Sequence, residues 1–600
     1  MVTKASSSIT LTLTPAVDSD NISGLDVTLV LQSPDKAAGE PVFLYNRRDN
    51  GTGAPSHEYH LSSIKAYDSQ GHFPINIVDN PSDANLQEWH GLRNTEGDLS
   101  LHLHVQPVQV TAKDHRRSIV PLGLDFGRAE LLEDQGGLMG AGKWFIPRPA
   151  ADLEILYRIT VQWDTSSSPP GTRAVWSHGE GPEPVTKEGT VDMLLDSVYM
   201  VGPVQSFPAR VDAMTGDASP NAGSTFWFGK LPTNLEKLSE YSSKIFPNIS
   251  AFFRDPRGSY RAFIRKVPNG FGGTGFQASS LIEYDSQAEG VSDFDLVRLF
   301  NHLMVRSWAR LGPQDNGSEA EWFSKGLALN FPLAPIQDHL TNSCVGLSQM
   351  YTIFFPYRFG QRGPDYFRAT LNGFLSAYYT SPRLTARLGQ GQVSAQVDSY
   401  TASIPYNRGW IYMLKMDCYT RRASVQTEAG VLRPLDGVVG DLTEKRRSGL
   451  KMQTVDWLNG VAHWLDMIDV AAAPYFQDTI MNGNPMWLDD MTEAFGAKEG
   501  TSRVVEVDQE MLCFGFDVMK SLERGVVSAI EPGSRAKLSG LRDGDRILRL
   551  DGFEFSMLGP DREVKVLVER DGETRSFEYS PRRFDKVPCW QVLKIEPAGT

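Results

Sequence analysis

Apolar and polar residues alternate one by one through much of the first ~200 residues. The clearest runs are ITLTLTPAV, LDVTLVLQ, LSLHLHVQPVQV and LEILYRITVQW, and Gly, Pro, Asp and Asn cluster between them. A period of two is typical of strands that bury one face. Regularly spaced short strands therefore predict a β-rich N-terminal domain over residues 1–205, built as a sandwich or a saddle-like sheet.

From residue 206 to about 505 the pattern becomes helical. The strongest predicted helix runs from Ser292 to Gly312, where Ser292 and Asp295 resemble a capping box and Gly312-Pro313 ends the helix. YNRGWIYMLKMDCYTRR, from Tyr406 to Arg422, is a second amphipathic helix. These segments predict an α-rich middle domain.

Residues 506–600 return to a β pattern with one short predicted helix. The segment GSRAKLSGLRDGDRILRLDG, preceded by CFGF, resembles a PDZ domain. That resemblance implies that Phe514, Gly515 and Phe516 cradle a peptide C-terminus with backbone N–H groups and add the peptide as a strand. The peptide belongs either to a partner or to the protein's own chain. The alternative is that this domain is a structural cap on its neighbour.

Composition and charge exclude several classes of function. The chain is 40% hydrophobic and 22% charged, and its formal net charge is -14. A surface of that sign repels phosphate backbones and anionic lipid, so no nucleic-acid or membrane partner is expected. The N-terminus lacks the apolar core of a signal peptide. We therefore expect a cytoplasmic protein, and the four cysteines, which contain no C-x-x-C pair, predict neither a disulfide framework nor a thiolate zinc site.

GLMGAGKW, from Gly137 to Trp144, nearly matches a phosphate-binding loop. Trp144 stands where the magnesium-binding hydroxyl belongs, and the following FIPRP contains two prolines that prevent a helix. The segment is therefore interpreted as a Gly-rich turn, and no cofactor is predicted.

Five short motifs of the middle domain occur in a fixed order. They are NHLMVRSW followed by WFSKG, the upstream GFGGTGFQASS, and the downstream PYNRGWIYMLKMD and YFQDTIMNG. Together they resemble the glycyl aminopeptidase family, whose members combine a β domain, a thermolysin-like zinc peptidase domain and a PDZ domain. The resemblance covers nearly the whole chain and implies a multidomain α+β fold: residues 1–205 β-rich, 206–505 thermolysin-like and 506–600 PDZ-like.

The chain departs from the family at the positions that carry the zinc chemistry. The family's H-E-x-x-H places two histidine ligands one helical turn apart, with a glutamate as general base. Here His302 keeps the first ligand, but Leu303 replaces the base, Arg306 the second ligand and Lys325 the third. Arginine has no lone pair to offer a metal, and leucine cannot accept a proton from water. We therefore predict no metal site and no zinc peptidase.

The two new cations predict a cleft for a small anionic molecule. Arg306 is expected to clamp the anion through two hydrogen bonds, and Lys325 to act as acid or base with a pKa lowered by the neighbouring cation. His302 is expected to move a proton at neutral pH, and Tyr406 to donate a hydrogen bond to a developing oxyanion. The predicted substrate-binding walls are Gly275, Phe276, Gln277, Ser279 and Tyr284.

These residues favour a metal-independent enzyme of the isomerase, cyclase or lyase type. One alternative is a non-catalytic pseudopeptidase that acts as a scaffold through its PDZ-like domain. Another is residual aminopeptidase activity.

Overall fold

The computed structural model describes most of the chain. The described residues are 7–19, 21–48, 55–109, 130–151, 155–209, 223–255, 259–268, 271–285, 291–309, 345–386, 399–425, 433–447, 454–488, 491, 502–553, 559 and 561–594. The side chains of Arg306 and Tyr406, and those of several other helical residues, lie outside this description.

The N-terminal region is β-rich, as the alternating pattern predicts, and its strands form three sheets. In chain order, strands β1 to β16 are Ser7–Asp18, Asn21–Leu31, Pro41–Asn46, Lys65–Asp68, Gly71–His72, Ile75–Asn80, Asp83–Gly91, Leu99–Val105, Leu132–Asp134, Gly137–Ala141, Arg148–Pro149, Tyr157–Trp163, Arg173–Trp176, Gly179–Glu180, Val185–Gly189 and Val198–Gly202. The strand orders in the three sheets are β15-β12-β1-β2-β8-β4-β5, β14-β13-β16-β10-β9 and β11-β3-β7-β6. Alternate residues of β1, Ile9, Leu11 and Leu13, are fully buried.

The Gly-rich segment GLMGAGKW forms strand β10 and most of a one-turn helix, α1 (Gly142–Phe145), instead of the predicted turn. A Cβ atom on Gly142 would lie 2.1 Å from the backbone oxygen of Leu194, so this close approach requires glycine. Trp144 is buried, and its Nε1–H donates to the Pro55 carbonyl at 2.9 Å. Gly142 and Trp144 therefore contribute to the packing of the N-terminal domain. A second one-turn helix, α2, spans Asp192–Leu195.

A five-stranded sheet separates the N-terminal sheets from the helices. Its order is β17-β18-β19-β21-β20, with strands Val204–Phe207, Gly223–Phe228, Tyr260–Lys266, Gly272–Phe276 and Ser279–Tyr284. Phe263 and Leu281 pack into the N-terminal core. Their chain neighbours Ile264 and Ile282 pack into the helical core. Because neighbouring strand residues point to opposite faces, this one sheet contributes to both cores.

The middle of the chain contains most of the helices, but strands β18 to β21 also lie within the range predicted to be α-rich, 206–505. Its helices are α3 (Thr233–Phe252), α4 (Asp293–Ala309), α5 (Val345–Arg358), α6 (Pro364–Tyr379), α7 (Ser399–Val425), α8 (Pro434–Arg447), α9 (Thr454–Asp466) and α10 (Ala472–Phe476), which continues into a π-helical turn, Gln477–Met481. Helix α7 begins at Ser399, earlier than the predicted start at Tyr406. Pro405 therefore lies within the first two turns of the helix and does not mark its start. No helix in the described ranges is long and apolar enough to cross a bilayer.

The C-terminal region contains strands and two short helices. Strands Ser502–Leu512 (β22) and Arg582–Lys594 (β26) form an antiparallel ribbon, and Arg546–Asp551 (β23), Val564–Arg570 (β24) and Glu573–Tyr579 (β25) form a three-stranded sheet. The helices are α11 (Val518–Arg524) and α12 (Arg535–Ser539). Apolar residues of this region, such as Phe514 and Val566, join the same core cluster as the helices. The C-terminal region therefore packs as a continuous part of the helical domain.

Candidate functional site

Helix α4 carries the first candidate residue, and its start agrees with the sequence. The Asp295 backbone N–H donates to Ser292 Oγ at 3.2 Å, and Ser292 Oγ donates to the Asp295 carboxylate at 2.6 Å. This side-chain cap satisfies a helix donor that would otherwise lack a partner. Further along α4, Arg298, His302 and Arg306 follow at intervals of four residues, which places them on one face of the helix.

His302 is completely buried in the helical core. Burial, followed by the positive charge of Arg298 one turn earlier, lowers the pKa of its imidazole from 6.5 to about 3. Arg298 is itself fully buried, and its guanidinium lies 5.9 Å from the centre of the Phe374 ring on α6. The imidazole is therefore neutral at physiological pH. A group with this pKa is a weak base at pH 7, which argues against the predicted proton transfer by His302.

The ligand positions that the aminopeptidase resemblance implies do not fit zinc. His302 is preceded by Arg298 and followed by Arg306 on the same helix face, and guanidinium groups offer no lone pair. Leu303, at the general-base position, packs against strand β20, because a Cβ on Gly273 would lie 2.7 Å from its Cδ1. Within the described ranges, no three His, Cys, Asp or Glu side chains are grouped so that they could hold a metal ion.

Strand β20 places the predicted wall residues on two different faces. Gly273 faces α4, so Gly275, two residues later, lies on the same face. Phe276 faces the other way and packs into the N-terminal core. Its cross-strand partner Ser279 is fully buried and forms a 2.6 Å hydrogen bond with Ser177 of the N-terminal domain. The structure thus gives Phe276 and Ser279 packing contacts away from α4, and their role as substrate contacts stays a prediction.

Two further wall residues lie at the ends of these strands. Gln277 lies in the turn between β20 and β21, where its side chain is exposed and its backbone N–H donates to Asp196 at 2.9 Å. Tyr284 packs into the helical core, and burial raises the pKa of its phenol to about 12. It therefore stays protonated at neutral pH. Both remain predicted substrate contacts.

Three predicted residues cannot be placed in the site by their side chains. Lys325 lies outside the described residues, and only the helical backbone is described for Arg306 and Tyr406. Their roles stay predictions. In contrast, the structure adds Arg298, which was not predicted. Its spacing of four residues before His302 is the sequence feature that points to it.

The predicted peptide loop is buried and already makes contacts within the chain. Phe514 and Phe516 are buried, and Gly515 has a φ of +80°, a left-handed conformation that glycine adopts without strain. The Gly515 carbonyl accepts a 2.8 Å hydrogen bond from the Glu531 backbone N–H. The residues after Phe516 form helix α11, capped by Asp517, whose carboxylate accepts from the Lys520 N–H. The predicted strand addition needs a strand edge beside the loop, and a helix follows the loop instead.

Comparison with solved structures identifies the fold. The chain is similar to an aminopeptidase N family protein from Idiomarina loihiensis, with a TM-score of 0.61, 15% identity and 97% coverage of both chains. An M1 zinc metallopeptidase from Deinococcus radiodurans has a TM-score of 0.44 and 15% identity over 80% of this chain and 94% of its own. The leukotriene A4 hydrolase of Saccharomyces cerevisiae has a TM-score of 0.46 and 10% identity over 80% and 69%. No family model matches the sequence, and neither does any curated protein.

The similarity to the Idiomarina protein confirms the predicted aminopeptidase-like, multidomain fold. A fold of this kind supports different chemistries, because function depends on the residues of the site. The function therefore depends on His302, its neighbours on α4, and the residues at the altered positions, Leu303, Arg306 and Lys325.

Proposed function

We propose that α4 borders a cleft that binds a small anionic molecule and supports acid–base chemistry without a metal, as an isomerase, cyclase or lyase. The observation that carries this proposal is the positively charged helix face, on which the fully buried Arg298 precedes His302 and Arg306 follows it. In a water-poor interior, fixed positive charge stabilises an anion more strongly than it does in water.

The proposed roles follow from the chemistry of each side chain. Arg306 clamps a carboxylate, enolate or phenolate with two parallel N–H donors. Lys325 acts as acid or base, because a neighbouring cation lowers an amine's pKa. Tyr406 donates to the developing oxyanion. His302, with its pKa of about 3, is neutral and orients the anion through a hydrogen bond, which revises its predicted role in proton transfer.

Anion binding should depend on Arg306. We expect Arg306→Gln to weaken binding of a simple dicarboxylate such as oxalate, or of inorganic phosphate, by at least tenfold, since a charge-assisted bidentate pair contributes about 1.5–3 kcal/mol. Titration calorimetry at low ionic strength measures the affinity. Arg158→Gln removes an exposed arginine from strand β12 and is the matched control.

Lys325→Gln provides a second variant in the same experiment, with the same expected loss. Equal anion affinity in wild type, Arg306→Gln and Lys325→Gln would show that the anion does not bind beside α4. Undetectable binding of all tested anions to the wild-type protein would contradict the proposal as well.

A second candidate function is a non-catalytic pseudopeptidase scaffold, and the complete burial of His302 favours it. A side chain that contacts substrate needs access to the cleft. The two proposals differ in the residues on which biological function depends. If the protein is an enzyme, variants of Arg306 and Lys325 should abolish its function. If it is a scaffold, variants of the Cys513–Phe516 loop should do so. Residual aminopeptidase activity is the third candidate and requires zinc.

A further inference from the structure

The Cys513–Phe516 loop of the C-terminal region holds a tyrosine from the helical domain. Tyr400 lies in the first turn of α7, and its Oη accepts a 2.7 Å hydrogen bond from the Phe514 backbone N–H. The two rings are stacked, with centroids 5.4 Å apart and planes inclined by 16°. On the other side, Tyr579 Oη donates to the Phe514 carbonyl at 2.8 Å. Both backbone polar groups of Phe514 are therefore engaged within the protein.

The surroundings of the loop favour a neutral partner over a carboxylate. A cavity of about 220 Å³ adjoins Tyr400 and Phe514, and its lining includes the acidic residues Asp517 and Glu531. Arg583 pairs with Glu531 at 2.9 Å, but both side chains are about two-fifths exposed, so solvent weakens that compensation. A ligand carboxylate here would face the like charges of Asp517 and Glu531, whereas a phenol oxygen accepts the amide hydrogen without adding charge.

The same region also contacts helix α6 and its C-terminal end. The fully buried Arg582 donates to Thr380 Oγ1 at 2.6 Å, and the Leu512 backbone N–H donates to the Thr380 carbonyl at 3.0 Å. Asn372 forms reciprocal hydrogen bonds with the Val592 backbone, at 3.0 and 2.7 Å. These contacts fix the β22–β26 ribbon against α6.

An ion pair connects the C-terminal region to helix α4. Arg562 forms a 3.1 Å ion pair with Asp295, the residue whose N–H is capped by Ser292 at the start of α4. The Asp295 side chain is almost completely buried. The C-terminal region thus contacts the start of α4, the C-terminal half of α6 and the start of α7.

We propose that the C-terminal region is an internal clamp whose Cys513–Phe516 loop takes Tyr400 of the same chain as its ligand. The loop thereby fixes the first turn of α7 relative to α4 and α6. This assignment names the occupant of the loop and is independent of whether the cleft beside α4 binds an anion. Since the contact is mutual, loosening either partner must loosen the other.

Hydrogen exchange measured by mass spectrometry on the full-length protein tests this coupling. Tyr400→Phe keeps the ring and removes the hydrogen-bond acceptor, so we expect exchange at residues 513–517 to become about fivefold faster. Phe514→Leu removes the stacked ring from the loop, and we expect exchange in the first turns of α7, residues 399–410, to become at least threefold faster. Tyr357→Phe, at a partly exposed tyrosine of α5, is the matched control and should leave both segments within twofold.

The clamp is supported if exchange becomes faster at residues 513–517 in Tyr400→Phe and at residues 399–410 in Phe514→Leu. Unchanged exchange at 399–410 in Phe514→Leu, with the loop itself loosened, overturns it, as does unchanged exchange at 513–517 in Tyr400→Phe. A second probe is an N-acetylated tetrapeptide ending in valine, compared with its C-terminal amide. The clamp predicts no saturable binding of either form to the wild-type protein. The clamp is overturned if the free acid binds more tightly than the amide and a substitution in the loop abolishes that binding. The loop would then bind the C-terminus of another chain.

Discussion

Replacing Arg265 by methionine is expected to lower the free energy of unfolding by about 3–5 kcal/mol, because it leaves the Glu283 carboxylate buried without its guanidinium partner. Arg265 is fully buried on β19 and donates to Glu283 Oε1 through Nε at 3.0 Å and Nη2 at 2.7 Å. Its Nη1 also donates to the carbonyls of Glu130 and Met139, at 2.7 and 2.8 Å. These two carbonyls belong to the N-terminal domain, so the loss should affect the junction of the domains.

Urea unfolding followed by circular dichroism measures this loss. Arg158→Met, on the exposed face of β12, is the matched control and should change stability by less than about 0.5 kcal/mol. The double variant Arg265→Met/Glu283→Leu removes both charges and should be more stable than Arg265→Met by about 1–3 kcal/mol. If Arg265→Met were as stable as the control, the buried pair would not hold the junction.

Acid is expected to destabilise the protein through His302. The pKa of this group is about 3 in the folded protein and about 6.5 when unfolded, so below pH 6.5 the unfolded chain binds a proton that the folded chain does not. The stability that the protein gains from keeping His302 neutral is therefore fully present above pH 6.5, and it is lost as the pH falls towards 3. By pH 5 the loss is about 2 kcal/mol.

The measurement is urea unfolding of wild type and His302→Leu at pH 7.5 and pH 5.0. Other groups titrate equally in both proteins, so the difference between their pH dependences isolates His302. We expect the variant to lose about 2 kcal/mol less than wild type between the two pH values. Identical losses would mean that His302 titrates normally and is accessible to water.

Local features of the fold could be predicted from the sequence. The alternation in ITLTLT predicted which residues of β1 are buried, and the Ser292–Asp295 pair predicted the start of α4. Both depend on interactions between residues close in the chain. The order of the motifs predicted the aminopeptidase-like fold, which the similarity to the Idiomarina protein confirms.

The sequence predicted less well which face of a strand a residue occupies. A period of two separates Gly275 from Phe276 but does not tell which of them faces α4, because that depends on the partners of the whole sheet. The five-stranded sheet has a buried core on both faces, so polarity gives no further indication. The sequence therefore did not indicate that Phe276 and Ser279 pack towards the N-terminal core, and their role as substrate contacts stays a prediction.

Contacts between distant segments could not be predicted at all. Tyr400 and Phe514 are separated by 114 positions, and no local pattern links them. Whether His302 is a core histidine or a catalytic group stayed open for a related reason, since its spacing on α4 defines a helix face but not what covers that face. Burial changes the chemistry, because it lowers the imidazole pKa and so argues against the predicted proton transfer by His302.

The zinc content of the purified, dialysed protein tests the central claim most directly. Inductively coupled plasma mass spectrometry should find well under ~0.1 zinc per chain, because one buried neutral histidine flanked by arginines is not a zinc site. A zinc peptidase with an intact H-E-x-x-H, dialysed in parallel, controls for metal loss. Metal-poor protein supports a site that works without zinc. Near-stoichiometric zinc would contradict the proposed metal-independent function and favour residual aminopeptidase activity instead.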